Sequence, residues 1–168
     1  MKKIELVEIR QVNDALAEMV ALFRVELRSY KGIASKPNVE DGREEMKEYL
    51  LAGFPVFAAT VHGEYAGYVV CRIESEVVWV ESIFVREEYR RQGVAAALHG
   101  KAEEIAASYG NDTVYNYVHP NNHRMIEFLR KRGYTVLNLI EIRKPYLNEK
   151  LTQTITAVSY THLRAHET

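Results

Sequence analysis

One cysteine, Cys71, stands in 168 residues, and a single thiol closes no internal disulfide. That removes the disulfide-built secreted scaffolds and fits a reducing, cytoplasmic setting. No apolar run reaches the length of a membrane span, and Met1-Lys2-Lys3 leads into a short alternating segment instead of a signal-peptide core. No membrane association is therefore expected. Neither sign of charge is in excess: 22 Lys and Arg against 23 Asp and Glu leave a net charge of −1, so composition offers no footprint for nucleic acid or an anionic lipid surface. Two phosphate-binding patterns are also missing. No glycine-rich loop ends in Gly-Lys-Ser or Gly-Lys-Thr, and no Gly-x-Gly-x-x-Gly follows a first strand, which argues against nucleotide phosphate loops and dinucleotide folds. What remains is a chain with 47% hydrophobic residues, long enough for one domain with a substantial core.

The stretch that organises the chain runs from Val77 to Tyr109: a β-branched run, a charged turn, the lone Gly93 and a small-residue helix. A strand that feeds a helix through such a turn leaves the first helical N–H groups pointing outward, at the positive end of the helix dipole. Glycine lets backbone approach a ligand with no Cβ in the way. The arrangement predicts an anion site, with Arg90 and Arg91 placed to add phosphate contacts.

The other elements follow from periodicity and caps. Ile4 to Ile9 reads as a half-buried strand. Asn13 or Asp14 caps a helix whose apolar residues Leu16, Met19, Val20, Phe23 and Leu27 recur at helical spacing. Asn38 caps a second helix, with Glu40 and Asp41 in its first turn, Met46, Tyr49 and Leu50 as its buried face, and Gly53 at its end. Phe54 to Thr60 and Tyr65 to Ile73 form a hairpin, and Val77 to Val85 is the central strand. After Gly93, a helical stripe of Val94, Leu98, Ala102, Ile105 and Tyr109 leads to a strong strand, Thr113 to Val118. Right-handed crossover makes that strand parallel to the central one. Pro120-Asn121-Asn122 opens a helix ending in Arg130-Lys131-Arg132-Gly133, and Val136 to Arg143 reads as a last clear strand.

Residues Val158 to Thr168 match an in-frame translation of a transposon-end sequencing adapter. The expectation is a single domain over residues 1–157, with 158–168 foreign to the fold and the native C-terminus missing. His162 and His166 are accordingly not read as metal ligands.

Two motifs in order carry a resemblance. Arg90-Arg91-Gln92-Gly93-Val94-Ala95 fits Gln/Arg-x-x-Gly-x-Gly/Ala, and Asn122, Met125, Phe128, Lys131, Gly133 and Tyr134 fall on a second pattern, Asn-x-x-Ala/Ser-x-x-Leu/Phe-Tyr-x-Lys-x-Gly-Phe/Tyr. Both resemble the GNAT superfamily of N-acetyltransferases. The resemblance implies a mixed α/β fold of six to seven strands and four helices, with the two parallel strands splayed so that the pantetheine arm of acetyl-CoA lies between them. By the same resemblance, backbone groups of Phe84 and Val85 would pair with pantetheine. The turn Arg90, Arg91, Gln92, Gly93, Val94, Ala95 and Ala96 would hold the pyrophosphate, and Asn122 would reach the pantetheine arm.

Acetyl transfer to an amine also requires that the amine be neutral and that the thiolate leave. Glu81 stands where many relatives carry a carboxylate that takes the amine proton; the alternative is a solvent-facing residue paired with an arginine. The position after Phe128, commonly the tyrosine acid of the family, is Leu129 here. Tyr117, Tyr134 or solvent would then protonate the thiolate. His119 and His123 read as loop or cap residues, Cys71 as a small core residue, and no metal is expected. The acidic series Glu40, Asp41, Glu44, Glu45 and Glu48 could attract a cationic amine or be a solvated face. The acceptor class is a small-molecule, peptide or protein amine, and a homodimer is possible. A non-catalytic acyl-CoA sensor and a transferase of another acyl group are the rivals.

Overall fold

A five-stranded sheet with strand order β1-β2-β3-β4-β5 is the frame of the computed structural model, which describes residues 3–151. β1 (Ile4–Glu8), β2 (Val56–Val61), β3 (Glu64–Glu74) and β4 (Val77–Val85) pair antiparallel in sequence order, and β5 (Tyr115–Asn116) joins β4 in parallel. The β2–β3 hairpin turns on His62 and Gly63, both at positive φ (52° and 82°), which matches the twist of the flanking strands. The mixed α/β fold class is as expected; the described residues hold five strands.

Helices cover both faces. α1 (Asp14–Tyr30) and α2 (Val39–Leu51) pack on one, where Leu16, Met19, Val20 and Met46 meet Val56, Ala58, Tyr68, Val70 and Phe84 in a single core cluster. α2 lies close enough to α1 that a Cβ at Gly42 would sit 2.2 Å from the carbonyl oxygen of Ala17. α3 (Val94–Ser108) covers the other face, and Gly67 of β3 makes room for Leu98. Side-chain caps start α1 and α2 as the sequence predicts: Asn13 accepts the N–H of Leu16, and Asn38 accepts those of Glu40 and Asp41.

The described residues divide into two compact units, one ending at Asn122 and one beginning at His123. The second holds α4 (His123–Lys131), where Glu127 pairs with Arg130, and the chain then turns at Gly133 (φ 91°). Two expectations need correction. The segment Val136 to Arg143 forms no strand, and Val136, Leu137, Leu139, Ile140 and Ile142 are exposed. β-Branching makes an extended segment favourable, but a strand exists only through a partner's backbone. The strand expected over Thr113 to Val118 shrinks to two residues for the same reason, because β4 offers it two rungs. Residues 152–157 and the adapter-like 158–168 lie outside the described residues.

Candidate functional site

The two halves of β4 have different neighbours. Trp79 and Val80 pair with Tyr115 and Asn116 of β5; beyond them, Ser82 to Val85 pair with β3 alone. Among the described residues the edge of β4 that includes Phe84 and Val85 therefore has no strand beside it, and its backbone groups on that side, apart from the Val85 C=O that receives Arg90, suit an extended ligand.

Where the ladder opens, β4 also carries a bulge. Val80 opposes Cys71 and Ser82 opposes Val70, so Glu81 is an extra residue with no residue opposite it in the β3 ladder. The bulge puts two consecutive side chains on one face. Glu81 bonds Arg72 at 3.0 Å and Ser82 bonds the Tyr68 hydroxyl at 2.9 Å, and Arg72 and Tyr68 share a face of β3. Glu81, Ser82, Trp79 and Phe84 thus all look toward the side covered by α1 and α2.

The turn leading into α3 is shaped by backbone conformation. A 3-10 turn over Glu87–Tyr89 is followed by Arg91 at φ 58° and Gly93 at φ 85°, both left-handed. At Gly93 the nearest neighbour of an added Cβ would be 3.7 Å away, so glycine is needed here for its φ and not for space. The first helical bond runs from Ala97 N–H to Gly93 C=O at 3.0 Å. The amides of Val94, Ala95 and Ala96 precede it. Gly93 has no side chain with which to cap this end, and no acid lies in its first turn, a pattern compatible with an anion at the positive end of the dipole.

Arg90 has a different place from the one its sequence position suggests. Its Nε donates to Val85 C=O at 2.9 Å, its Nη2 pairs with Glu26, and its guanidinium lies 5.7 Å from the Phe84 ring centre. It ties the turn to β4 and α1. Gln92 likewise folds back, donating to Glu88 C=O at 2.8 Å.

On the α1/α2 face, Glu81 is ion-paired with Arg72, which also pairs with Glu74 and lies 5.2 Å from the Trp79 ring centre. Trp79 stacks on Tyr117 at 4.8 Å and meets Tyr115 at 4.7 Å. Tyr117 is 59% exposed. Further in, Glu45 of α2 receives both Arg24 and the Tyr49 hydroxyl. Burial, reinforced by the bond to Glu45, raises the Tyr49 pKa, and burial raises that of Tyr68, so both phenols stay protonated at neutral pH. Cys71 is buried and its thiol is pushed up to about 12; it is an inert core residue.

After β5 the chain is held by a short clasp. Tyr30 stacks on His119 at 5.9 Å, Asn121 Nδ2 donates to Tyr30 C=O at 2.8 Å, and Asn122 N–H donates to His119 C=O at 2.8 Å. Leu129 is buried within α4. Among the described residues no group of three or more His, Cys, Asp or Glu could hold a metal ion. No helix there is long and apolar enough to cross a membrane.

An open strand edge running toward an uncapped helix end, beside a carboxylate on a bulge, is a geometry for an extended ligand with an anionic terminus. The profile described as the acetyltransferase (GNAT) family matches residues 19–134. The chain belongs to that family. An uncharacterized N-acetyltransferase of Methanocaldococcus jannaschii is 34% identical over 85 residues, 46% of this chain and 38% of its own length. An N-alpha-acetyltransferase of Sulfurisphaera tokodaii is 31% identical over 114 residues, 58% of this chain and 64% of that protein. The chain thus spans less than two thirds of either curated relative. Among solved structures, AAC(6')-Iy in complex with a bisubstrate analog, CoA-S-monomethyl-acetylneamine, shares the GNAT fold at a TM-score of 0.63, with 21% identity, 86% of this chain and 99% of that one covered.

Within this GNAT chain, Phe84, Val85 and the turn through Ala96 lie in one unit, joined by the bond from Arg90 to Val85. Glu81 and Tyr117 are linked through Arg72 and Trp79. Sequence reading missed the bulge and the buried His99. The consecutive polar pair Glu81-Ser82 inside an apolar strand was the available sign of the first. A histidine at a core position of α3 was the sign of the second.

Proposed function

We propose that this chain is an acetyl-CoA-dependent N-acetyltransferase that passes the acetyl group directly to an acceptor amine. The observation that carries the reading is the parallel ladder of only two rungs, opening beside the uncapped N-terminus of α3. The pantetheine arm would lie along the open edge at Phe84 and Val85, with Asn122 reaching it. The pyrophosphate would take the amides of Arg91, Gly93, Val94, Ala95 and Ala96, with Gln92 shaping the turn and Arg90 bracing it. A backbone N–H near Val85 would face the thioester oxygen and stabilise the oxyanion that forms on attack.

Glu81, aimed at the α1/α2 side by its bulge and bonded to Arg72, is the acceptor of the amine proton, directly or through water. Tyr117, stacked on Trp79, donates a proton to the departing thiolate. Its contribution is small because a thiolate leaves without much assistance. Leu129 in the usual tyrosine position supports one other reading, an acyl-CoA-binding sensor without turnover.

Titrating acetyl-CoA into the chain beside Gly93→Glu and Gly93→Ala variants tests the cofactor site. Loss of about a hundredfold or more for the glutamate, well beyond that of the alanine, is expected, since both share the φ strain and only one adds an anion. Thiol release across polyamines, aminoglycosides, amino acids and peptides then separates enzyme from sensor, and competition by longer acyl-CoAs tests the acyl group. Peptide N-termini are included on the name of the Sulfurisphaera tokodaii relative. Aminoglycosides are included because the analog bound to AAC(6')-Iy contains acetylneamine. Binding without release on every acceptor would overturn the enzyme reading.

A further inference from the structure

We infer that His99 and Asn116 form a positioning pair for the acyl-CoA cleft, holding β5 at the rung where the parallel ladder ends. The inference rests on the acyl-CoA reading of that cleft. His99 is fully buried on the sheet side of α3, beside Leu98 and Ala102. A buried imidazole is a poor choice for packing alone, because its ring nitrogens must be satisfied away from water. Here Nε2 lies 3.0 Å from Oδ1 of Asn116. The Asn116 amide is turned by its own Nδ2, which donates to Val114 C=O at 3.3 Å. Its carbonyl oxygen therefore faces the ring, and Nε2 donates. The other ring nitrogen, Nδ1, lies 3.5 Å from the Glu103 carboxylate one turn further along α3.

The pair is placed at a junction. Asn116 is the last β5 residue paired with β4, opposite Val80, and the next residue of β4 is the bulged Glu81. One side-chain bond thus runs from the helix that offers its amides to phosphate to the strand that forms the far wall of the cleft. Without it, β5 is held to β4 by two parallel rungs and the contacts of Trp79 with Tyr115 and Tyr117, a weak anchorage. Loosening it lets the gap between β4 and β5 vary where a pantetheine arm must fit. The α3 turn keeps its own geometry, since Gly93, Val94 and Ala95 lie more than a turn before His99.

The test compares two ligands on the full chain. Acetyl-CoA needs both the cleft and the phosphate turn; adenosine 3′-phosphate 5′-diphosphate, the nucleotide end of CoA without its pantetheine arm, needs only the turn. Asn116→Ala and His99→Leu should each weaken acetyl-CoA binding about tenfold, the scale of one lost buried hydrogen bond. The nucleotide fragment should stay within about twofold of the unmodified chain. The double variant should be no weaker than either single, because both remove the same bond. His99→Gln, which keeps an N–H donor of similar reach, should recover to within about threefold. Should His99→Leu not fold, the half-exposed Asn116 and the glutamine variant carry the comparison. Unchanged acetyl-CoA affinity in Asn116→Ala, or equal loss of both ligands, overturns the positioning role. Failure of the unmodified chain to bind acetyl-CoA overturns the cofactor reading itself, and this inference with it.

Discussion

Three helices of the first unit begin in two different ways. α1 and α2 are closed by the sequence itself, with Asn13 and Asn38 accepting first-turn amides and acidic residues beside them. α3 begins at a left-handed glycine, with no side-chain cap and no acid in its first turn. The same chain satisfies two helix ends internally and leaves the third for something external. The proposed anion site rests on that contrast more than on any one motif residue.

The contrast can be broken most sharply by giving α3 what α2 already has. Ala95→Glu places an acid in the first turn, where a helix alone gains about 0.3–1 kcal/mol. The variant should melt no lower than the unmodified chain, yet its acetyl-CoA affinity should fall about a hundredfold or more in a calorimetric titration, because two anions now compete for one helix end. Stable protein with undiminished binding would remove the anion site.

A smaller effect is expected from Glu81→Gln, which tests whether the chemistry is separable from the helix end. Its turnover at saturating acetyl-CoA should drop by roughly a hundredfold while acetyl-CoA affinity holds, measured by thiol release and by titration on the same sample. The reverse replacement at α2, Asn38→Ala, should lower stability by about 1 kcal/mol in a denaturant melt and leave acetyl-CoA binding unchanged. Tyr117→Phe should slow turnover by less than about threefold, in keeping with a good leaving group.

The smallest expected change is in pH dependence. Burial, and then Lys31, lower the pKa of His119 from its ordinary 6.5. Below that value the folded chain binds fewer protons at this site than the unfolded one does. Its share of stability is therefore complete above 6.5 and is lost as pH falls through the folded value. His119→Asn should flatten the decline in melting temperature between about pH 7 and about pH 5, slightly, because the group is half-exposed.

What could be read from sequence was local. Asn13, Asn38, the His62-Gly63 turn and Gly93 each act on the next few residues, and each stands where its residue type predicts. What could not be read depends on a distant partner. TVYNYV has the composition of a full strand, and its length is set by how many rungs β4 offers. Val136 to Ile142 has the same character and pairs with nothing among the described residues. Arg90 sits in the phosphate motif, yet its guanidinium is held by Glu26, 64 residues away. Leu129, at the position of the family's tyrosine, is legible as a departure but not in its effect on turnover.

The bulge in β4 has a consequence of another kind. Deleting Glu81 would set Ser82 directly after Val80, opposite Val70 and Cys71 in unbroken order, and leave every remaining side chain of the strand on the face it now occupies. The sheet is complete without this residue. The carboxylate is an addition to the strand's count, not a choice made at one of its positions, so a lineage could lose or regain it by a change of length while its core stayed letter for letter the same.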